Sequence, residues 1–309
     1  MGKSTTECRY STFHAWLKQV YGERVQKICI DAGFTCPNRD GSKGTGGCLF
    51  CDDGGSAASR GLAALSIREQ VVRQMSSAHK RYGANKFIAY FQAFTNTHAD
   101  VNTLRRKYNE ALCDDRLIGL SVGARADCVT PDVCALLRSY TRTYHVWLEL
   151  GLESSNQATL DRMNRAEHVE DFAAACAMAH DAELDVVAHV IFGLPGDTHD
   201  DCMNAVDMLN RCRVEGVKIH NLYIDDRAPI AEMWRRGEVR MLELDEYVRW
   251  VCDAIERLDP RILIHRLTGE APGERLLAPQ WVRDKSSVLS AAGRELEWRG
   301  ARQGILFRG

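Results

Sequence analysis

From Lys27 to Ile224 the chain alternates short, β-branched apolar runs with longer amphipathic ones, the pattern of repeated βα units around a parallel sheet. Six runs predict strands: KICIDAGF (27–34), KFIAYFQA (86–93), LIGLSVGA (117–124), YHVWLELGLE (144–153), DVVAHVIFGL (185–194) and GVKIHNLYI (216–224). Helical periodicity fills the intervals near 66–81, 100–113, 131–141, 157–183 and 199–213. Pro131 stands at a helix start, where its missing N–H costs nothing. Six such units suit a partial barrel, open on one side, better than a closed eight-stranded one; a doubly wound open sheet is the alternative. In both, ligands gather at the C-terminal ends of the strands. After Ile224 the rhythm changes to a helix near 243–258, a strand-like RILIHRL (261–267), a loop with Pro272 and Pro279, and a polar helix near 285–299. The expected division is an N-terminal segment 1–26, an α/β core 27–224 and a small α-rich C-terminal extension 225–309.

Length and composition support one large core: 309 residues, 45% of them hydrophobic, with α/β barrels of this size commonly forming a single domain. The formal charge of −2 creates no global field for nucleic acid or anionic membrane. Its distribution is uneven, with ten Lys/Arg against six Asp/Glu from Arg257 to Gly309, a net of +4 that leaves −6 elsewhere. That tail is where phosphate contacts would fall, although a solvated helical face explains the same charges. No run approaches the ~18 apolar residues of a membrane helix, and the start MGKSTTECRY lacks an apolar secretory region. A soluble, cytoplasmic protein is expected. Gly2 with Ser4 to Thr6 loosely fits an acylation pattern and is set aside.

Twelve cysteines without a secretory signal point to reduced thiols or metal ligation. Cys134, Cys176, Cys202, Cys212 and Cys252 fall in helical stretches and read as small buried hydrophobes. One group has ligand spacing: GFTCPNRDGSKGTGGCLFCDDGGSA places Cys36, Cys48 and Cys51 in a C-x11-C-x2-C arrangement. The C-x2-C pair brings two thiolates to one centre, and the Gly-rich connector can fold back to deliver the third. Three ligands on a four-iron cube leave one iron open to a substrate's amino and carboxylate groups. Zinc with Cys29 as a fourth thiolate is the competing arrangement, and it would fit a non-enzymatic binding module. A second cluster on Cys113, Cys128 and Cys134 lacks a compact ligand motif.

The cysteine loop resembles that of the YhcC/YtqA-like radical S-adenosylmethionine (SAM) proteins, relatives of the elongator catalytic subunit that modifies wobble uridine in tRNA. YFQAFTNTHAD (90–100), GLSVGARADC (119–128), WLELGLES (147–154), HVIFGLPGDT (189–198), KIHNLYI (218–224) and IHRLTGEAP (264–272) follow the same family's order. The resemblance implies a partial (βα)6 TIM-like radical SAM barrel in which Cys36, Cys48 and Cys51 ligate a [4Fe–4S] cluster and SAM lies across the top. It implies Phe50 beside the adenine, Gln92, Thr95 and Asn96 near SAM, Ser121 near the ribose, and Arg165 on the SAM carboxylate. Gly193, Pro195 and Gly196 would form the turn that lets backbone approach adenine. Polar candidates at the mouth are Asn96, His98, Asp127, Glu149, Glu153, His189, His220 and Tyr223; of these we take Glu149 as cofactor-binding and Glu153, His189, His220 and Tyr223 as catalytic. The chain departs from the family at Ala124-Arg125-Ala126-Asp127, at Glu153 in place of glutamine, and at Asp225-Asp226-Arg227-Ala228-Pro229. The implied reaction cleaves SAM to a 5′-deoxyadenosyl radical that takes hydrogen from substrate. Its partners would be a one-electron donor such as flavodoxin or ferredoxin and a tRNA, a small metabolite or a peptide.

Overall fold

A computed structural model describes residues 9–55, 62, 64–271 and 273–308. The Gly2 pattern and Pro272 lie outside them. The order is α1 (Phe13–Tyr21), β1 (Val25–Ile30), α2 (Ile67–Tyr82), β2 (Lys86–Phe91), α3 (Val101–Ala111), β3 (Leu117–Arg125), α4 (Pro131–Tyr140), β4 (His145–Glu153), α5 (Gln157–Arg162), α6 (Val169–Asp181), β5 (Asp185–Phe192), α7 (His199–Arg211) and β6 (Gly216–Asn221). Then follow β7 (Ile224–Asp225), α8 (Ile230–Arg235), α9 (Leu244–Arg257), β8 (Leu263–Arg266), β9 (Leu276–Ala278) and α10 (Lys285–Trp298). Helix starts are capped: Ser66 with Glu69 and Thr198 with Asp201 form capping boxes, and Thr130 caps the helix that Pro131 opens, as expected of that proline.

Strands β1-β2-β3-β4-β5-β6-β8 form one parallel sheet in that order, curled into a half-barrel. The strand-like run after α9 is thus a seventh sheet member, paired with β6 through Val217↔Ile264 and Lys218↔Arg266. Alternation along each strand splits the residues between two faces. Ile28, Ile30, Phe87, Phe91, Leu120, Val122, Leu148, Leu150, Val186, Val190, Val217 and Ile219 pack against the helices in one continuous core. The other face curls around the interior. The strands follow chain order without the reversal that a doubly wound sheet requires.

The interior is layered, as in barrels generally. Toward the strand N-termini, Ile88, Trp147 and Val187 pack with Phe13 and Leu17 of α1. One step along come Lys27, Tyr90, Ser121, Glu149, His189 and Lys218, one from each of β1 to β6. Another step along, Cys29, Gln92, Gly123, Gly151, Ile191 and His220 line a cavity of about 490 Å³ at the C-terminal ends.

One expected element breaks in two. The apolar period of 157–183 continues through residues 163–168, yet α5 ends and α6 begins around them because Asn164 and Ala166 adopt left-handed backbone, φ 52° and 49°. The carbonyls freed by that break are taken up elsewhere. Asn38 Nδ2 donates to Asn164 O and Arg165 O, and Arg125 donates to Arg165 O at 2.7 Å and Ala166 O at 2.8 Å.

Candidate active site

Cys36, Cys48 and Cys51 all line the cavity, together with Phe50. Turns and long-range bonds hold their loop. Arg39 N and Asp40 N donate to Cys36 O, Cys51 N donates to Cys48 O, and the Arg39 guanidinium donates to Cys51 O and Asp52 O at 3.2 and 2.6 Å. Asn164 Nδ2 reaches Thr45 O and Gly47 O, so the break between α5 and α6 clasps the loop from the far side. Arg275 binds Asp52 at 2.9 Å and Asp225 at 2.8 Å, joining the same loop to β7 and the segment before β9.

The donor chemistry fits an iron–sulfur cluster. No disulfide engages these three thiols. Cys48 is buried, with Asn38 Nδ2 and Arg165 Nη1 each 3.8 Å from its sulfur, N–H groups of the kind that stabilise a ligating thiolate. Among the described residues no three His, Cys, Asp or Glu side chains converge on a point that could hold a single ion. Closed tetrahedral zinc requires such convergence, whereas a cube is ligated at separate corners.

Beside the cysteines lies a balanced ionic cluster. Arg165, 6% exposed, pairs with Glu167 at 2.6 Å, donates to Gly151 O at 2.8 Å and stands 3.8 Å from Glu153. Arg125 grips Asp127 through two bonds of 2.9 Å, and Lys43 reaches Asp127 at 2.7 Å. Burial pushes the Glu153 carboxyl up to about 7, opposed by the Arg165 charge. Glu153 also sits at φ 62°, strained backbone for a residue other than glycine. A Cβ on Gly151 would meet Glu153 Oε1 and come 2.8 Å from Arg165 Nη2, so both side-chain ends would have to shift.

The interior layer is a hydrogen-bonded charge array centred on Glu149. Its Oε1 accepts from Lys27 Nζ at 2.5 Å and from Ser121; its Oε2 accepts from His189 at 2.8 Å and from Lys218. Lys218 also donates to Tyr90 OH at 3.0 Å and lies 4.3 Å from that ring's centroid. Burial alone would raise the Glu149 carboxyl, but Lys218 and Lys27 outweigh it and hold the group well below the usual range. Burial, reinforced by Lys218, lowers His189 to about 4, and burial with Arg266 keeps His220 neutral.

The Radical SAM superfamily model matches residues 39–209, and the Radical_SAM C-terminal domain model matches 214–297. The chain is 36% identical to YtqA of Bacillus subtilis (strain 168) over 305 residues, covering 99% of this chain and 95% of that one. It is 35% identical to YhcC of Escherichia coli (strain K12) over 293 residues, 94% of each. The chain belongs to the radical SAM superfamily. It is a radical SAM enzyme whose cofactors are a [4Fe–4S] cluster and SAM. Its fold superposes on the archaeal Methanocaldococcus infernus Elp3 with TM-score 0.69 at 15% identity, covering 90% of this chain and 64% of that one. It superposes on Streptococcus suis SuiB bound to S-adenosylmethionine with TM-score 0.52 at 9% identity, covering 82% and 53%.

Within this radical SAM barrel the expected residues separate into two groups. Phe50, Gln92, Thr95, Glu149, Glu153, Arg165, His189, His220 and Tyr223 line the cavity with the cysteines. Ser121, Asn96 and Gly193 are not among the lining residues. Ser121 bonds to Glu149 in the interior layer. Asn96 Nδ2 bridges Phe91 O and Gly123 O between β2 and β3. Gly193, at φ 90°, faces Leu242 and Leu222, and a Cβ there would come 3.1 Å from the Leu242 side chain. Asp127 is held by Arg125 and Lys43, while His98 lies 2.8 Å from Asp40 near the surface. Sequence reasoning passed over Lys27, Tyr90, Lys218 and Arg266. The signal was present in Glu149, a carboxylate between Leu148 and Leu150 on a buried strand, which demands buried cations on neighbouring strands. Among the described residues no helix is long and apolar enough to cross a membrane.

Proposed function

We propose that Cys36, Cys48 and Cys51 hold the cluster and that this cytoplasmic enzyme takes a hydrogen atom from the side chain of a tRNA wobble uridine. When bound, the cluster and SAM supply one-electron cleavage chemistry that delivers a 5′-deoxyadenosyl radical, fed by a small donor such as a flavodoxin or ferredoxin. The observation that carries the reading is the gathering of three cysteines, Phe50 and Arg165 on one cavity wall. Phe50 offers its ring to the adenine. Arg165 gives positive charge to the SAM carboxylate, and Glu153 accepts from the SAM ammonium when ionised. Gln92 and Thr95 orient the sugar. Ile191 and Leu222 keep water from the reacting C–H. His189, His220 and Tyr223 face the substrate end and position its polar atoms. Ser121, Asn96 and Gly193 act one step back, by fixing Glu149, the β2–β3 edge and the turn after β5.

The tRNA assignment is supported by the resemblance to the elongator subunit, by the fold likeness to archaeal Elp3 and by the +4 balance of residues 257–309, since phosphate neutralisation dominates RNA affinity. Anaerobic iron–sulfide reconstitution followed by dithionite and SAM tests the chemistry. About four irons and 5′-deoxyadenosine in wild type alone are expected; a zinc-loaded protein that leaves SAM intact would overturn it. Salt-dependent binding of unmodified tRNA tests the substrate, and no binding at low salt would transfer the reading to a small metabolite or peptide.

A further inference from the structure

The cavity has two ends of different electrical character. At the cysteine end carboxylates meet two buried guanidinium groups, Glu167 meeting Arg165 and Asp127 meeting Arg125, while Arg39 is held by the Cys51 and Asp52 carbonyls. The other end is lined by Lys218, His220 and Arg266, the lysine and arginine being direct register partners on β6 and β8. Here the count does not close. Lys27 and Lys218 share one carboxylate, Glu149, whose side chain is fully buried, and burial together with the Lys27 and Arg266 charges lowers Lys218 to about 7, so the cations outnumber the carboxylate and an arriving anion restores the full surplus of charge.

Arg266 adds to that surplus. Its side chain is 31% exposed, and its ion pair, to Glu270, spans 3.8 Å. Glu270 meanwhile sits 2.5 Å from Lys285. Among the described residues the Arg266 side chain makes no hydrogen bond, although its fork presents five N–H donors in the geometry that matches a carboxylate or phosphate. A second observation points the same way. His220 Nε2 is buried without a hydrogen-bond partner, on a side chain that lines this same end. A polar atom in that condition is costly unless something occupies the space before it.

We propose that Arg266 and His220, backed by Lys218, form an oxyanion subsite that binds a carboxylate or phosphate of the substrate at the end of the cavity opposite the cysteines. The subsite rests on the proposed function for its place opposite the cofactors, and it narrows the substrate to one carrying an anion within the reach of this cavity. It also assigns the C-terminal extension a share in recognition, because Arg266 comes from β8.

The test uses the full chain with its cluster reconstituted, at constant ionic strength set by chloride. Acetate enriched in carbon-13 and inorganic phosphate are titrated with and without SAM, and binding is read from NMR line widths. Saturable binding of at least one anion with SAM present is expected. Arg266→Gln should weaken it at least about tenfold, the scale of a charge-assisted bond, His220→Phe by about threefold, and Arg266→Lys should restore part of the loss. Far-UV melting curves identify any variant that fails to fold, and Arg266→Lys then carries the comparison. Tighter acetate binding assigns a carboxylate-bearing substrate; tighter phosphate binding assigns a phosphorylated one. The proposal is overturned if neither anion saturates, if Arg266→Gln binds both as well as the parent, or if SAM displaces the anion, which would make this the seat of SAM's own carboxylate. SAM cleavage by the parent protein is scored separately. Anion binding without cleavage would retire the radical chemistry and keep the subsite.

Discussion

The cysteine end and the strand interior of this barrel solve opposite electrostatic problems. The first is assembled from loops distant in sequence, and it gathers three cations with three carboxylates: Arg125 and Lys43 on Asp127, and Arg165 between Glu167 and Glu153. The second is built from strands, one residue from each of β1 to β6, and its two ammonium groups meet a single carboxylate. A site that receives a cluster and a zwitterion is best neutral beforehand, because each incoming charge then finds a partner without leaving another stranded. A site with surplus charge keeps its binding energy for a ligand of the complementary sign.

The sharpest way to break this division is at the cysteines. Replacing Cys36, Cys48 and Cys51 together by alanine should reduce bound iron and 5′-deoxyadenosine to background, measured by iron assay and chromatography. Activity surviving in the triple variant would remove the cysteine end from the chemistry. Next in size is Glu149→Gln, which strands the buried Lys218 and the half-buried Lys27 and should cost about 3–5 kcal/mol of folding stability. Urea unfolding reads it. Adding Lys218→Met should recover much of that loss, because the two changes share one interaction; strictly additive effects would show that the array is not coupled.

Glu153 gives a smaller, pH-dependent effect. Its folded carboxyl, raised to about 7 from an ordinary 4.5, contributes stability that is full below the ordinary value and is lost as pH rises through about 7. Cluster-free wild type should therefore lose about 2 kcal/mol relative to Glu153→Gln between about pH 5.5 and pH 8. Parallel stability profiles would show that the carboxyl is solvated. Smallest is Arg165→Lys, which keeps the charge and removes the fork. SAM affinity by equilibrium dialysis should fall about tenfold, the loss of one charge-assisted hydrogen bond, and an unchanged affinity would place the SAM carboxylate elsewhere.

Much of this arrangement was legible along the chain. Short β-branched apolar runs between amphipathic stretches marked the six core strands, and the C-x11-C-x2-C spacing marked the three cysteines that line the cavity. The seventh strand was visible as RILIHRL, but nothing in four paired residues says which sheet they join. The break inside 157–183 was hidden because its causes are distant: Asn38 and Arg125 bind the carbonyls that a helix would have used. Lys27 and Lys218 escaped notice for a related reason. A lysine in a strand normally reaches water, and only the fold shows that both reach Glu149 instead. Ser121 lay on the expected strand and Asn96 in the loop just beyond β2, yet their hydrogen bonds make them supports for other residues.

The salt bridge between Arg275 and Asp52 spans 223 positions of sequence. A ribosome adding roughly 5–20 residues each second reaches Arg275 some 10–45 s after Asp52. For that whole interval the cysteine loop has emerged without the clasp that ties it to the barrel's far edge. Metal delivery before the clasp forms would meet an open loop accessible to any carrier, and delivery afterwards would meet a closed one. The separation of Asp52 and Arg275 along the sequence thus sets how long the loop lacks this bond during synthesis.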